Sequence, residues 1–452
     1  MNRAFLLMLA VVSLHTATAQ NAKFEKWKTP SYFRGVNTTN INAKTQADFD
    51  FLKNTGANLV QIGTLGFQDV TPPYDYNPES AATTDSLVKF CRQSGLHYTI
   101  ALRQGAGRRD VSWENSNGAS TLWTNVEEQR LYASMVKSVT ERYKGDSLFV
   151  GINAIMEPNP LYDGIYYAPE LLQSALATAG IDMEALYAMF IDSVRAADTE
   201  LPVIIQSVSY SSPEFFKLVP IVNDPYAVYE FHSYRPSEFV KAAKPNSQVY
   251  PGIYFSLPEI AFKMYDKKYF ADVMFRQVTQ VQQKTGAPVF LGEFGLMYEQ
   301  TGGAELLKDV VDIALDNGWH FAYWEYRNGR DDWNIEKTGE AAWGAMRQSF
   351  KKVKESQTTY IAENLPANGA LLISSAYIAP DGIHFSVSTF KNGFLNAELY
   401  NTAGDQLATL SDELTNDTVT LKFTNLNLAT GIYFISVSDG FSKDVRKVVI
   451  IR

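Results

Sequence analysis

The sequence feature that most constrains the fold is an eightfold alternation of strand-like and helix-like segments between residues 31 and 354. Strands that alternate with helices are typical of a parallel sheet, and eight such units predict a closed (β/α)8 barrel. The short apolar runs predicted as strands span residues 32–37, 58–63, 97–102, 149–156, 202–207, 227–232, 288–293 and 319–324. The amphipathic segments predicted as helices include residues 45–54, 85–93, 127–143, 184–197, 269–284 and 304–316.

Long insertions follow the third, fourth and sixth predicted strands, at residues 103–126, 157–182 and 233–268. Loops that follow barrel strands form the rim that carries the active site, and long loops are usually functional. These insertions are rich in aromatic residues, which favours a sugar-binding cleft; simple packing of the rim is the alternative. The rings are Trp113, Trp123, Tyr162, Tyr166, Tyr167, Tyr234, Tyr250, Tyr254, Phe255 and Tyr265.

Two glutamates end the fourth and seventh predicted strands. Glu157 follows the apolar run 149–156, and Glu293 closes the run that begins at Val289. Paired carboxylates on one rim suggest glycoside hydrolysis, in which a separation of about 5 to 5.5 Å lets one carboxylate attack directly with retention of configuration. We therefore predict Glu157 as the acid/base and Glu293 as the nucleophile, with a raised pKa for the acid. A pair of ion-paired structural glutamates is the alternative.

Charge and the amino-terminal segment limit the class of protein. The net charge of −9 argues against nucleic acid and anionic membranes as partners. Residues 1–19 have the basic start, short apolar run and small-residue cleavage site of a signal peptide, with Arg3 and the Ala17-Thr-Ala19 motif at its two ends. The apolar run is too short to span a bilayer, and no later segment is predicted as a membrane helix.

Few residues could hold a metal or form disulfides. Cys91 is the single cysteine and is predicted as a buried structural thiol, so no internal disulfide is expected. The chain has five histidines without the usual ligand spacing, so we expect no metal and no cofactor. Arg108, Arg109 and Asp110 are interpreted as solvated loop residues.

Several motifs along residues 31–350 resemble the cellulase-type barrels of glycoside hydrolase family 5. They are Phe33-Arg-Gly-Val-Asn37, Met156-Glu157-Pro158-Asn159, His232-Ser233-Tyr234, Gly292-Glu293-Phe294-Gly295 and Trp324. Each motif is weak alone, but their order on strands one, four, six, seven and eight makes the set specific. The resemblance implies that Tyr234 hydrogen-bonds the nucleophile, that His232 lines the cleft and that Trp324 lies under the sugar.

This sequence departs from the family pattern around one subsite. Met156 stands where the family has an Asn that bonds the sugar 2-hydroxyl, and Asn153 or Asn159 could take its place. Gln61 stands near the position of the family's strand-two Arg, for which Arg34 or Arg103 could compensate. The family's His after strand three is also missing. These departures suggest an unusual sugar, a divergent subfamily or lost activity, and we favour the first two.

The character of the sequence changes after Pro366. Short alternating runs separated by turns predict a small all-β sandwich. Leu399-Tyr-Asn-Thr-Ala-Gly404, Leu428-Ala-Thr-Gly431 and the terminal Lys447 to Arg452 resemble the C-terminal sorting domain of the type IX secretion system. The resemblance implies an extracellular or cell-surface destination. A carbohydrate-binding sandwich is the alternative.

We therefore predict a secreted, retaining glycoside hydrolase for β-linked glycans of the β-mannan or β-glucan type. The expected domains are a signal peptide (1–19), a (β/α)8 barrel (20–356), a linker (357–369) and a β-sandwich sorting domain (370–452). The partners expected are a glycan and the type IX machinery, without nucleic acid or a membrane span, and the chain is expected to be a monomer. The alternatives are a catalytically silent glycan-binding barrel and a transglycosylase. The predicted substrate-binding residues are Asn159, His232, Tyr234, Trp324, Gln61, Arg103 and Asn153.

Overall fold

The chain forms two compact units, Met1–Arg347 and Gln348–Arg452. The computed structural model describes residues 21–39, 44–110, 120–161, 168–243, 247–329, 332–351, 372–379, 382–388, 393–401, 404–414, 418–424, 426, 428–429, 431–439 and 443–450. The predicted signal peptide and linker lie outside the described residues.

The first unit is a closed barrel of eight parallel strands, which confirms the predicted fold class. Its strands are β1 (Arg34–Thr39), β2 (Leu59–Thr64), β3 (His97–Leu102), β4 (Phe149–Asn153), β5 (Val203–Gln206), β6 (Ala227–Ser233), β9 (Val289–Phe294) and β10 (His320–Tyr323). Two further strands, β7 (Gly252–Ser256) and β8 (Ala261–Tyr265), form an antiparallel hairpin within the long insertion after β6. The fourth and seventh barrel strands are therefore β4 and β9.

The strand limits agree with the predictions within two residues except at β4. This strand ends at Asn153 instead of residue 156. The side-chain oxygen of Asn153 accepts the N–H of Ile155 at 3.2 Å, so the chain leaves the sheet and turns before it reaches Glu157. An apolar run alone does not reveal such a turn.

Helices surround the barrel. They are α1 (Ala22–Lys28), α2 (Gln46–Asn54), α3 (Pro78–Ser94), α4 (Val126–Tyr143), α5 (Pro169–Thr178), α6 (Met183–Ala197), α7 (Ser237–Val240), α8 (Lys267–Tyr269), α9 (Arg276–Thr285), α10 (Gly303–Asp316) and α11 (Glu340–Lys351). The predicted helix 269–284 is interrupted by a π-helical turn, Phe270–Met274. Among the described residues no single helix is long and apolar enough to cross a membrane, although the bent pair α5 and α6 reaches that length and composition when combined.

Helix α1 closes the amino-terminal end of the barrel, opposite the rim that carries the glutamates. Its Trp27 is buried and donates its indole N–H to the Val150 carbonyl at 2.7 Å. The Trp27 ring packs against Phe33, Phe290 and His320. His320 accepts the Phe33 N–H at Nδ1, and its Nε2 lies 2.7 Å from the Trp27 carbonyl, which defines a neutral ring with the proton on Nε2.

The second unit is all-β, as predicted. A three-stranded sheet has the order β11 (Leu372–Ala379), β12 (Gly382–Ser388), β15 (Thr418–Thr424), and a four-stranded sheet has the order β14 (Gln406–Leu414), β13 (Gly393–Asn401), β16 (Gly431–Ser438), β17 (Lys443–Ile450). Both sheets are antiparallel. Alternate inward residues such as Phe385, Leu399 and Ile435 form its core.

Candidate active site

The carboxyl rim of the barrel brings Glu157 and Glu293 together. Both residues are buried, with 8% and 3% of their surface exposed. One carboxylate oxygen of each, and a ring nitrogen of His232 from the end of β6, all lie within 4.8 Å of one another. Tyr234 donates its hydroxyl to Oε2 of Glu293 at 2.7 Å, as the family resemblance implies.

His232 connects Glu157 to a third carboxylate deeper in the barrel. Its Nδ1 lies 2.8 Å from Oε1 of Glu157 and 3.6 Å from Oε2 of Glu293. Its Nε2 lies 3.2 Å from Oε1 of Glu230, which has no exposed surface. The imidazole therefore bridges a carboxylate of the cleft and a carboxylate of the barrel core.

Neutral amides satisfy the inner carboxylate. Gln61 donates to Oε1 of Glu230 at 2.8 Å, and Asn153 donates to Oε2 at 2.7 Å. Gly292 leaves space for the Glu230 carboxylate, because a Cβ at that position would lie 1.6 Å from Oε1 of Glu230. Gln61 and Asn153 have no exposed surface, so these two predicted substrate-binding residues lie beneath the cleft and hold Glu230.

Arg103 is a second cation beside the predicted nucleophile, in addition to His232. Its Nη1 lies 3.7 Å from Oε1 of Glu293, and its Nε is paired with the Asp110 carboxylate. The guanidinium stacks over the Trp324 ring with its carbon 5.1 Å from the ring centroid. The loop after β3 thus supplies, through Arg103, the cation that the family pattern would supply from strand two. Nη1 also lies 3.8 Å from the sulfur of Met156.

The pKa directions differ from the sequence prediction of a raised value for the acid. Burial raises the pKa of Glu157, but the hydrogen bond and charge of His232, with Arg103 and Lys241, lower it below its ordinary value. Burial, together with the charge of Glu157, raises the pKa of Glu293 to about 7, against the opposing effect of His232 and Arg103. The difference arises because His232 hydrogen-bonds Glu157 and lies farther from Glu293.

His232 itself is held in the charged form. Burial disfavours the imidazolium, but the charges of Glu293 and the hydrogen bonds to Glu157 and Glu230 raise the pKa of His232 to about 10. In the same network the side-chain oxygen of Gln206 accepts the Glu157 N–H, and its amide nitrogen lies 2.9 Å from Nε2 of His232.

The remaining predicted residues lie around this cluster. Trp324 is partly exposed at the end of β10, and Asn159 is 8% exposed, with no hydrogen-bond partner for its side-chain nitrogen among the described residues. Trp333 packs edge-on against Tyr234, with ring centroids 5.2 Å apart. Nζ of Lys241 lies over the Tyr234 ring, 5.2 Å from its centroid.

Most of the described rim aromatics pack the rim and do not line an open cleft. Tyr250, Tyr254 and Tyr265 are buried around the hairpin, and Trp123 is buried against Arg108. Phe255 is 38% exposed. Trp113, Tyr162, Tyr166 and Tyr167 lie outside the described residues.

The interpretation of residues 108–110 as solvated was wrong for two of the three. Arg108 has no exposed surface, and Asp110 is 2% exposed. Both lie in the site, where Arg108 donates to the main-chain carbonyls of Met156 and Glu157. Sequence reasoning also missed Glu230, although a charged residue inside an apolar strand was a signal for it.

Glu157, His232 and Glu293 form the group of potential metal ligands found among the described residues. In this arrangement the His232 ring nitrogen that faces Glu157 is already within hydrogen-bonding distance of its carboxylate. The absence of a metal requirement stays a prediction.

A parallel (β/α)8 barrel whose carboxyl rim carries paired glutamates, with Glu157 after β4 and Glu293 near the end of β9, has the architecture of a glycoside hydrolase. The chain belongs to glycosyl hydrolase family 5, whose family model, named Cellulase, matches residues 19–330. A second model, the secretion system C-terminal sorting domain, matches residues 366–451. The protein is therefore an O-glycosyl hydrolase of the endo-β-glycanase type, and its sorting domain indicates a secreted or cell-surface location.

Similar proteins include endoglucanase C of Acetivibrio thermocellus, which is 21% identical over 320 residues, 63% of this chain and 84% of that protein. Among solved structures, Thermotoga maritima Cel5A in complex with mannotriose is 18% identical, with a TM-score of 0.53 over 73% of this chain and 99% of that chain. Cellulose synthase subunit Z of Clostridioides difficile is also 18% identical, with a TM-score of 0.51 over 71% of this chain and 99% of that chain. At these identities the solved structures show the fold.

Proposed function

We propose that the protein hydrolyses β-mannan or β-glucan with retention of configuration, with Glu157 as the acid/base and Glu293 as the nucleophile. The observation that carries this proposal is the distance of at most 4.8 Å between carboxylate oxygens of the two residues. Such a gap leaves little room for the water that an inverting enzyme places between its carboxyl groups. A catalytically silent glycan-binding barrel would have no need of two carboxylates at this separation.

In the first step, Glu293 forms a bond to the anomeric carbon while the glycosidic bond breaks. The proton of Glu157 moves to the departing oxygen, so the leaving sugar departs as an alcohol. In the second step, Glu157 takes a proton from water, the water oxygen bonds to the anomeric carbon, and Glu293 is released as a carboxylate. Both glutamates end the cycle in their starting states.

The neighbouring residues have separate roles in this proposal. Tyr234 and Arg103 orient Glu293 through the 2.7 Å hydrogen bond and the 3.7 Å ion pair, and Trp324 supports the sugar from below. Asn159 is our candidate for the contact with the sugar 2-hydroxyl that Met156 cannot make, because its side-chain nitrogen has no partner among the described residues. His232 orients the carboxyl of Glu157.

The pair holds one proton below the raised pKa of Glu293, about 7. The mechanism requires that proton on Glu157 once the substrate is bound. Two carboxylates this close titrate as a pair, so the single proton belongs to the pair and either carboxyl can carry it.

The substrate class is supported by the names of similar proteins. Endoglucanase C is an endoglucanase by name, and the Thermotoga enzyme was crystallised with mannotriose and, in another structure, with cellobiose. We therefore propose a β-linked hexose polymer. We further propose the domain limits 20–356 and 370–452, and recognition of the second domain by the type IX machinery.

The test is reducing-sugar release from β-mannan, β-glucan, xyloglucan and xylan. Glu157→Gln and Glu293→Gln should each reduce release by at least about 10²-fold, whereas Glu214→Gln, a matched change at a buried glutamate paired with Arg235, should not. Proton NMR of the first product should show the β anomer. An α anomer, or full activity in Glu293→Gln, would refute the proposed mechanism.

A further inference from the structure

The backbone of Glu157 has an unusual conformation. Its φ angle is +47°, in the left-handed region that a residue with a long side chain rarely adopts. Such a conformation is strained and persists only where the surroundings hold it. The direction of the Glu157 carboxyl depends on this backbone, because the side chain starts from it.

Two buried side chains hold the backbone of Glu157 from opposite directions. Gln206 accepts its N–H at 2.5 Å. Arg108 donates from Nη2 to its carbonyl at 3.2 Å and to the preceding carbonyl of Met156 at 2.9 Å. The Met156 and Glu157 carbonyls belong to the two peptide planes that meet at the Glu157 Cα. A guanidinium that binds both carbonyls restrains the relative orientation of these planes, which the φ and ψ angles of Glu157 describe.

The loop after β3 presents Arg108 in a fixed position. Its backbone N–H donates to the Gly105 carbonyl at 2.9 Å, and its carbonyl accepts the Gly105 N–H at 3.0 Å, which closes a tight turn. The guanidinium lies 5.3 Å from the centroid of the buried Trp123 ring. Arg108 has no exposed surface, so its charge is not there for solubility.

We propose that Arg108 is a positioning residue for the acid/base: it holds the main chain of Glu157 in the left-handed conformation that aims the carboxyl at the glycosidic oxygen. This inference rests on the proposed function, and in particular on Glu157 as the acid. A displacement of about 1 Å at a reacting group can cost roughly 10²-fold in rate. The loss should fall on proton transfer and spare nucleophilic attack by Glu293.

The leaving group distinguishes this role from a general structural one. Departure of a sugar or an alkyl alcohol needs a proton, whereas a dinitrophenolate leaves without one. In Arg108→Met we expect kcat/KM for the polysaccharide to fall on the order of 10²-fold, while kcat/KM for the dinitrophenyl glycoside of the same sugar changes by less than about threefold. The ratio kcat/KM is the right quantity because it reports the bond-breaking first step.

Arg109→Met is the matched control. Arg109 is the next residue of the same loop and is partly exposed, and its backbone N–H donates to the Ser120 hydroxyl oxygen at 3.0 Å. The Arg109→Met substitution should leave kcat/KM unchanged for both the polysaccharide and the dinitrophenyl glycoside. Arg108→Lys keeps the charge, but it replaces the planar guanidinium, whose Nη2 reaches both carbonyls, with an ammonium on a more flexible side chain. It should therefore show the same selective loss in a weaker form.

Equal losses on both substrates, or no loss on either, would overturn the inference. If Arg108→Met does not fold, as judged by its melting curve, the same comparison in Arg108→Lys decides between selective and equal loss. Glu157→Gln separates this inference from the proposed function. If Glu157→Gln lacks the selective loss, the assignment of the acid fails; if only the Arg108 variants lack it, the positioning role fails alone.

Discussion

At the residue scale, the chemistry depends on how the cluster of Glu157, Glu293 and His232 divides its protons. Below a pH of about 7 the carboxylate pair keeps one proton, because the pKa of Glu293 is raised to that value by burial and by the charge of Glu157. We predict that kcat/KM falls as the pH rises through about 7, where this proton is lost, and also at low pH, where both carboxylates are protonated. A pH profile on a soluble glycan checks it. A plateau that continues to pH 9 would contradict it.

Arg103 sets the position of that profile. Its positive charge lowers the pKa of both Glu157 and Glu293, so its removal raises both. In Arg103→Met we predict that both limbs of the kcat/KM profile move to higher pH by about one unit or more. Arg103→Lys keeps the charge and should leave the limbs in place even if the rate falls. Unmoved limbs in Arg103→Met would show that the 3.7 Å ion pair has no effect on the nucleophile.

Glu230 keeps His232 charged. Three carboxylates favour the imidazolium, and they outweigh the amide nitrogen of Gln206 near Nε2. We predict that Glu230→Gln lowers the pKa of His232 by about 1–3 units from its value of about 10. Imidazole nitrogen shifts in NMR measure this directly. His232→Asn assigns the signal, and an unchanged titration in Glu230→Gln would disprove the link.

At the element scale, the barrel strands and their order were predictable, and the polar interior was not. Apolar runs identify strands because each barrel strand is buried on both faces. The burial of Arg108 depends on carbonyls of a segment that lies about fifty positions later in the chain, and no local pattern reveals that contact. The sequence offered both Arg34 and Arg103 as a cation for the site, and the closed barrel brings Arg103 to Glu293. Helix α1 was missed because its seven residues are too short for a periodic signal.

Helix α1 nevertheless makes a testable contribution to stability. Trp27 fills the amino-terminal end of the barrel, with contacts to Phe33, Phe290 and His320. We predict that Trp27→Ala lowers the free energy of unfolding of a fragment spanning residues 20–356 by about 3–5 kcal/mol, because it leaves a cavity. KM should not change, since the cluster lies at the opposite rim. Urea denaturation measures the loss.

The control for Trp27→Ala is Lys28→Ala in the same helix. Lys28 is exposed and pairs with Glu25 at the surface. Its replacement should change the free energy of unfolding by less than about 0.5 kcal/mol. Similar losses in the free energy of unfolding for the two variants would contradict the prediction, because they would show that the indole of Trp27 makes no specific contribution to stability.

At the scale of the whole molecule, catalysis and export belong to different parts of the chain. The family 5 model covers residues 19–330, and the sorting-domain model covers residues 366–451. Each unit has its own buried core, with Trp27 and Phe290 in one and Phe385 and Leu399 in the other. Because these two clusters share no residue, we expect the two units to unfold separately.

We therefore predict two calorimetric transitions in the full chain, of which only one responds to a change in the second core. Leu399 has no exposed surface, so Leu399→Ala should cost about 2–5 kcal/mol and lower one transition by roughly 10 °C or more. The other transition and kcat/KM at 25 °C should not change. Leu407→Ala, at a leucine of the same unit that is 38% exposed, should move neither transition appreciably. A single transition that shifts as a whole would mean that the barrel and the sorting domain unfold as one cooperative body.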